Sequence, residues 1–183
     1  MDFYIDIVIL TDPDLSQPII MNAAYTNFHK VLFDIRSNQV GVSFPHHKKT
    51  LGDILRMHGS MSDLQELQKQ NLLLGLVGYC EMTGISQVPD DASYHTVSRM
   101  QINMSQSKLR RLVKRGSITE EESKRYNLKL PSLHIGNPYV DLVSGSNGQK
   151  HRRYIKFGEI VNKPTVGTFD QFGFSKVATI PCF

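Results

Sequence analysis

Five cations fall within the eight positions from Lys108 to Arg115, and no acidic residue lies among them. In a helix, Lys108, Arg111 and Arg115 share one face. Arg110 and Lys114 lie beside that face. Because like charges on one helix face repel each other, we expect an anionic partner to compensate them. The alternative is a solvated basic helix face, which is common for charge runs.

Charge is distributed unevenly along the 183 residues, whose net charge is +4 at pH 7. Residues 1–94 contain 6 basic and 11 acidic side chains, whereas residues 95–183 contain 15 basic and 6 acidic ones. An excess of basic residues that is concentrated in one half of the chain indicates a binding surface for a polyanion such as a nucleic acid. A membrane surface is the weaker alternative, because the apolar stripe of Leu109, Leu112 and Val113 is short and has no aromatic residue.

Two polar side chains could read bases. Arg99 and Gln101 flank Met100 in a segment with an extended pattern, so both point to the same side. Arg can hold guanine with two hydrogen bonds, and Gln can hold adenine in a similar way. The pair would suit adjacent bases, although two exposed polar residues are the simpler interpretation.

A loop of small residues begins at Ser144 and leads into a basic segment that contains Arg152. The hydroxyls of this loop, including that of Ser146, and its backbone N–H groups could approach a phosphate closely. The alternative is an ordinary β-turn, for which Asn147-Gly148 is sufficient.

His29 ends the apolar face of the first predicted helix. A lone helical histidine is most often structural, and a general base is the functional alternative. The sequence contains no carboxylate cluster, HExxH motif, P-loop or GxGxxG motif, so metal-dependent phosphoryl chemistry has no support. A nuclease built from these residues would work without metal and would use the 2′-hydroxyl of RNA as its nucleophile.

Hydrophobic periodicity predicts the order β-α-β-β-α-β in the first half, which is typical of the ferredoxin-like arrangement. The turn-rich segment Gln87–Asp91 lies where the charge changes sign, and it predicts two domains, residues 1–92 and 93–183. The expected fold is α+β, with strands over 3–10, 40–44, 53–58 and 79–85 and helices over 20–35 and 60–70.

In the second half, the basic run lies between a helix N-cap signal at Ser105-Gln106-Ser107 and a C-cap signal at Gly116, which predicts an arginine-rich helix. A short helix from residue 118 and strands over 139–143 and 154–157 are predicted to follow. No stretch is long and apolar enough to span a bilayer, and no signal peptide is evident. Cys80 and Cys182 have no metal-binding spacing, so reduced thiols and a cytoplasmic location are expected.

Together these segments resemble the type I-F CRISPR repeat-processing endoribonucleases of the Cas6 family, nearly from end to end. The resemblance is carried by the first strand, by His29, by the Gly41–Pro45 and Leu51–His58 segments and by the Val97–Gln101 segment. The arginine-rich helix, the loop that begins at Ser144 and the Gly-Phe-Ser-Lys tail at 173–176 complete it.

The resemblance implies an N-terminal ferredoxin-like domain, a C-terminal RNA-binding domain and the hairpin of the CRISPR repeat transcript as substrate. It implies that His29 is the general base and that Ser144 positions the 2′-hydroxyl. It further implies that Arg99 and Gln101 read base pairs at the foot of the stem, and that the helix with Lys108, Arg110, Arg111, Lys114 and Arg115 lies along the major groove.

The chain departs from the family at two positions. Phe172 stands where the family has a tyrosine that supports the histidine, so a Tyr there is expected to raise the cleavage rate or leave it unchanged. His151 stands where the family stacks an aromatic ring on the terminal base pair, and imidazole can also stack.

The predicted function is cleavage of precursor CRISPR RNA at the 3′ foot of the repeat stem, without cofactor or metal, to give a 2′,3′-cyclic phosphate. The protein is then expected to stay bound to the mature guide RNA, with other subunits of a type I-F surveillance (Cascade) complex as partners and no membrane. The main alternative is a hairpin-capping subunit with weak or lost cleavage, and a general RNA chaperone is a third.

Overall fold

The computed structural model describes residues 1–100, 106–126, 137–143 and 148–183. In these ranges the chain is a mixed α/β protein with antiparallel sheets. Its named helices are α1 (Gln17–Asp34), α2 (Met61–Gln68) and α3 (Gln106–Lys114), and a further helical stretch follows α3. Its strands are β1 (Phe3–Ile9), β2 (Gly41–Ser43), β3 (Ile54–Gly59), β4 (Cys80–Met82), β5 (Ser86–Gln87), β6 (Ser93–His95), β7 (Val97–Arg99), β8 (Tyr139–Val143), β9 (Lys150–Phe157) and β10 (Ile180–Cys182).

The sheet of the first half has the strand order β2-β3-β1-β4, and β5 also pairs with β1. These strands pair in antiparallel fashion. A buried charge pair joins Arg56 of β3 to Asp6 of β1 through two hydrogen bonds of 2.8 and 2.9 Å. Because each carboxylate oxygen receives an N–H donor, the pair satisfies charges that burial alone would destabilise.

Helix α1 carries the apolar face that its sequence predicts. Ser16 lies at the N-cap, and Pro18 occupies the first turn, where its missing N–H loses no helical hydrogen bond. Ala24, Tyr25, Phe28 and Leu32 are fully buried within the core. His29 follows Phe28 directly, so it lies at the margin of the buried face, half in and half out of solvent.

The second half contributes a three-stranded sheet of order β7-β9-β8 and the two-stranded pair β10-β6. Buried residues from both halves belong to one hydrophobic cluster, which includes Ile155 of β9 and Ile180 of β10. The C-terminal strand therefore packs back against the first half of the chain.

Helix α3 ends in a hydrogen-bonded turn. Gly116 has φ +68° and donates to the carbonyl of Val113 at 2.9 Å, while Ser117 donates to the carbonyl of Leu112 at 3.0 Å. This is the Schellman pattern that a glycine just past a helix end favours. A further helical stretch over 120–126 begins with reciprocal hydrogen bonds between Thr119 and Glu122.

The predicted elements of the first half agree with these bounds within a few residues, apart from the strand expected over 79–85, of which only β4 (Cys80–Met82) forms; β5 begins after that range, at Ser86. The last predicted strand is wrong at its start, since β9 begins at Lys150 rather than at Tyr154. Among the described residues, no helix is both long and apolar enough to cross a membrane.

Candidate active site

A cleft of about 750 Å³ opens between α1, the β8–β9 hairpin and the C-terminal tail. His29 and Lys30 line it from α1, His151 and Arg153 from β9, and Phe172 from the tail. It therefore brings together His29, His151 and Phe172, which the sequence singled out from three distant segments.

His29 is held by the backbone of the tail. Its Nδ1 lies 2.8 Å from the carbonyl oxygen of Gln171. A carbonyl can only accept, so Nδ1 carries the proton in this bond. In the neutral ring the lone pair then resides on Nε2, which is the nitrogen available to take a proton from a substrate.

Phe172 stacks on His29. The two ring centroids are 3.9 Å apart and the ring planes differ by 20°. Phe172 is buried, with 8% of its surface exposed. Its ring therefore restricts the tilt of the imidazole, while the Gln171 carbonyl selects the tautomer.

The turn that presents Gln171 and Phe172, residues 170–174, is fixed by its own hydrogen bonds. The carboxylate of Asp170 accepts from the backbone N–H of Phe172 at 2.9 Å and from that of Phe174 at 3.0 Å. The Tyr25 hydroxyl of α1 donates to the Phe172 carbonyl at 2.8 Å. We call this segment the tail turn.

Two glycines allow the tail turn to approach the first half of the chain. Gly173 has φ +72°, and a side chain there would also press on Phe28 and Val42 at 3.0 and 3.1 Å. A Cβ at Gly41 would lie 2.6 Å from Ile180 and 2.7 Å from Phe169. Both positions therefore need glycine, because a larger residue would displace the segment that holds His29.

The surroundings of His29 favour its neutral form. Burial lowers the pKa of His29 below its ordinary value, and the positive charges of Arg153 and Lys30 lower it further. The hydrogen bond to Gln171 and the charge of Asp170 act in the opposite direction. Because the net shift is downward, the ring is uncharged and able to accept a proton at neutral pH.

A pH profile checks this shift. The sequence predicts that His29 is a general base, which works only when deprotonated, so kcat/KM for the predicted RNA cleavage is expected to be low in acid and to rise to a plateau through the pKa of free-enzyme His29. We expect the inflection below about 6.5, the ordinary histidine value. An inflection above that value would contradict the electrostatics of the cleft.

The β8–β9 hairpin presents different residues to its two sides. His151 and Arg153 line the cleft. Arg152, between them, instead forms two hydrogen bonds of 2.9 and 3.0 Å with Asp141 and lies 3.8 Å over the ring of Tyr139. This pairing lowers the pKa of Asp141. Ser144 and Ser146, which come after β8, lie outside the described residues.

Other predicted RNA contacts lie on two further elements. Arg99 is exposed at the end of β7 and close enough to lower the pKa of Arg153. Gln101 lies outside the described residues. On α3, Leu109 is fully buried and Leu112 and Val113 are half-buried. The opposite side of α3 exposes all five cations, Lys108, Arg110, Arg111, Lys114 and Arg115.

Two residues of the cleft were missed by the sequence reasoning. Gln171 acts through its backbone carbonyl, which no side-chain pattern can reveal. Arg153 stands next to Arg152 in a basic segment, and strand alternation places the two on opposite sides. That alternation places Arg153 on the same side of the strand as His151, two residues earlier, and could have indicated Arg153 as a residue of the cleft.

Comparison with known proteins assigns the family. The family described as CRISPR-associated protein (Cas_Csy4) matches residues 4–183. An Escherichia coli (strain UTI89 / UPEC) protein named CRISPR-associated endonuclease Cas6/Csy4 is 34% identical over 184 residues and covers 100% of both chains. A Pseudomonas aeruginosa (strain UCBPP-PA14) protein of the same name is 32% identical over 187 residues, again with 100% of both chains covered. The chain belongs to the Cas_Csy4 family, which confirms the resemblance to type I-F Cas6 proteins seen in its sequence.

Solved structures add little to this assignment. Thermus thermophilus Cse3, bound to an RNA representing a pre-cleavage complex, aligns with 99% of this chain and 100% of that chain at 10% identity, with a TM-score of 0.37. A RAMP protein described as binding different RNA substrates aligns with 98% of this chain and 99% of that chain at 11% identity, with a TM-score of 0.35. Likenesses this low carry no information about the site.

Proposed function

We propose that this protein is a metal-independent endoribonuclease that processes precursor CRISPR RNA. It binds the hairpin of the repeat and cleaves at the 3′ foot of the stem. Family membership over the whole chain supports the activity. The observation that carries the mechanism is the bond between His29 Nδ1 and the Gln171 carbonyl, because it leaves Nε2 of a neutral histidine as a proton acceptor in a cleft.

In the proposed reaction, His29 removes the proton of the 2′-hydroxyl at the cut site. The 2′-oxygen attacks the adjacent phosphorus, and the bond from phosphorus to the 5′-oxygen breaks. The products are a 2′,3′-cyclic phosphate and a 5′-hydroxyl. Ser144 is proposed to hold the attacking 2′-oxygen, and its neighbour Val143 lines the cleft.

The proposed RNA surface extends from the cleft to α3. The five exposed cations of α3 are proposed to contact phosphates along the major groove of the hairpin, which a short stem with an open end makes accessible. Arg99 and Gln101 read base pairs at the foot of the stem, and Ser146 and Arg152 add contacts. The exposed His151 stacks on the terminal base pair.

We also infer a ferredoxin-like N-terminal domain over residues 1–92 and an RNA-binding domain over residues 93–183. The antiparallel strand order β2-β3-β1-β4, with α1 and α2 as the two connecting helices, supports the first. The exposed cations of α3 support the second. After cleavage the protein is proposed to remain on the mature guide RNA as a subunit of a type I-F surveillance complex.

The function is tested by incubating the protein with a labelled repeat hairpin in the presence of EDTA. Cleavage at the foot of the stem is expected at the rate seen without EDTA. Tight binding without cleavage would instead indicate a hairpin-capping subunit, which the absence of a hydroxyl on Phe172 would explain. Equal binding of hairpin and unstructured RNA would indicate an RNA chaperone.

The variant Phe172→Tyr tests how the base is oriented. The sequence left two outcomes open, a faster rate or no change, and the structure favours no change because Gln171 already bonds to Nδ1 of His29. We expect single-turnover cleavage within about threefold of wild type. A hydroxyl that is buried without a hydrogen-bond partner costs about 1–3 kcal/mol, and we expect the unfolding free energy to fall by up to that amount in a melting experiment. A tenfold faster variant would show that the base needs a hydroxyl neighbour.

A further inference from the structure

Arg153 is a half-buried cation of the cleft. It lies on β9, and its guanidinium carbon lies 3.8 Å from the centre of the Phe172 ring. The same ring has His29 stacked at 3.9 Å. Two groups this close to one ring centre cannot share a face, so Phe172 lies between His29 and Arg153. The ring thereby sets the position of the base and of the cation together.

Arg153 is poorly compensated by the described part of the chain. Its Nε–H is buried and meets no acceptor there, and no described carboxylate lies within 4.0 Å of its guanidinium. Asp170 is the nearby acid, but it forms no ion pair with Arg153, and its Oδ1 accepts two backbone N–H groups of the tail turn. The neighbouring Arg152, in contrast, has a counter-ion, because it forms an ion pair with Asp141.

The electrostatic setting of Arg153 points to an anionic ligand. Burial lowers the pKa of Arg153, and the charge of Arg99 lowers it further. A guanidinium nevertheless keeps its proton in proteins. A charged group that is partly desolvated, faces a second cation and has no close counter-ion is unfavourable unless an anion binds beside it.

We propose that Arg153, which lies across the Phe172 ring from His29, binds the scissile phosphate and stabilises the charge that develops on the non-bridging oxygens of that phosphate. This inference rests on the proposed function, and it adds to it a residue that contacts the reacting group. The planar guanidinium fork suits phosphate oxygens, which it can bind through two hydrogen bonds.

The chemistry explains why a cation is needed there. His29 takes the proton of the 2′-hydroxyl, the bond between the 2′-oxygen and phosphorus forms, and the bond to the 5′-oxygen breaks. The departing 5′-oxygen takes up the proton that His29 holds, directly or through water, so protons and electrons balance without another reactant. In the transition state between substrate and cyclic product, the two non-bridging oxygens carry more negative charge than in the substrate. A preorganised cation therefore stabilises the transition state more than the substrate.

The test compares Arg153→Gln with wild type and with Arg153→Lys, in single-turnover cleavage of the repeat hairpin. Gln keeps a planar group for the face of Phe172 but removes the charge, whereas Lys keeps the charge without the fork. We expect Gln to slow cleavage by about 10²-fold, the loss typical of one donor to a developing oxyanion. Lys is expected to recover part of this rate. Lys163→Gln, at an exposed lysine outside the cleft, is the matched control and should cleave as wild type.

Two further readouts separate a phosphate contact from a structural role. Because Arg153 lowers the pKa of His29, the inflection of kcat/KM in Arg153→Gln should move upward. The second readout uses a non-cleavable hairpin that is 2′-deoxy at the cut site. Replacing its scissile phosphate by an uncharged methylphosphonate should weaken its binding to wild type but should not weaken its binding to Arg153→Gln. The wild-type half of this comparison needs no variant, so it can overturn the proposal even where Arg153→Gln melts early.

The proposal is overturned if Arg153→Gln is folded and cleaves within about threefold of wild type. It is also overturned if the uncharged linkage binds wild type as tightly as the natural one. Neither result would contradict cleavage of the hairpin by wild type, so neither would overturn the proposed function. Wild-type protein that neither binds nor cleaves the hairpin would instead overturn the proposed function.

Discussion

Replacing His29 by Ala is expected to slow cleavage of the repeat hairpin by about 10²–10⁴-fold, the range that a positioned general base contributes. Binding of the hairpin should be nearly unchanged, because a base acts in the transition state and adds little to ground-state affinity. The measurement is single-turnover cleavage at saturating protein, with the dissociation constant of a non-cleavable hairpin beside it.

His46→Ala is the matched control for this variant. His46 is an exposed histidine paired with Asp53 at 2.7 Å and lies outside the cleft, so the control should cleave as wild type. A melting curve is needed for both variants, because His29→Ala also removes the stack on Phe172. A folded His29→Ala protein that cleaves at full rate would contradict the assignment of the base.

Neutralising Arg111 and Arg115 together is expected to weaken hairpin binding and to flatten its dependence on salt. The magnitude of the slope of log K against log salt should decrease by roughly 0.7–0.9 for each phosphate that the variant no longer neutralises. Both side chains lie on the exposed side of α3, while Leu109 anchors the opposite side in the core, so the fold should be preserved. The measurement is a salt titration of affinity with the non-cleavable hairpin.

The control for α3 is the double neutralisation of Lys48 and Lys49, two exposed lysines of the acidic first half. The same change in net charge there should leave the salt slope close to that of wild type. If the α3 variant has the wild-type slope, its cations do not contact phosphates. If both double variants flatten the slope equally, net charge rather than the helix accounts for binding.

Much of the secondary structure could be predicted, because its signals are local. The predicted N-terminus of α2 is formed by a capping box in which Ser60 and Asp63 bond reciprocally. The turn after α3 has the glycine that its hydrogen bonds require. Strand β9 was predicted too short because its first residues, from Lys150 to Arg153, are polar on both sides of the strand. Its pairing with β8, not hydrophobic alternation, makes this segment a strand.

Of the candidate site, the sequence indicated the histidine but not the groups that surround it. His29 came from the sequence only with the help of a family resemblance, since a lone helical histidine carries little information by itself. The carbonyl that orients it lies 142 positions away in the chain. The position of Arg153 across Phe172 from His29 depends equally on long-range packing. No local pattern encodes such contacts.

The central claim is that RNA supplies its own nucleophile and that the protein supplies a base. The most direct measurement is cleavage, in EDTA, of two hairpins that differ only by a 2′-deoxy nucleotide at the cut site. We expect the all-RNA hairpin to yield a 5′ fragment ending in a 2′,3′-cyclic phosphate, and the 2′-deoxy hairpin to be bound but not cut. Cleavage of the 2′-deoxy hairpin, or cleavage that needs magnesium, would contradict the account.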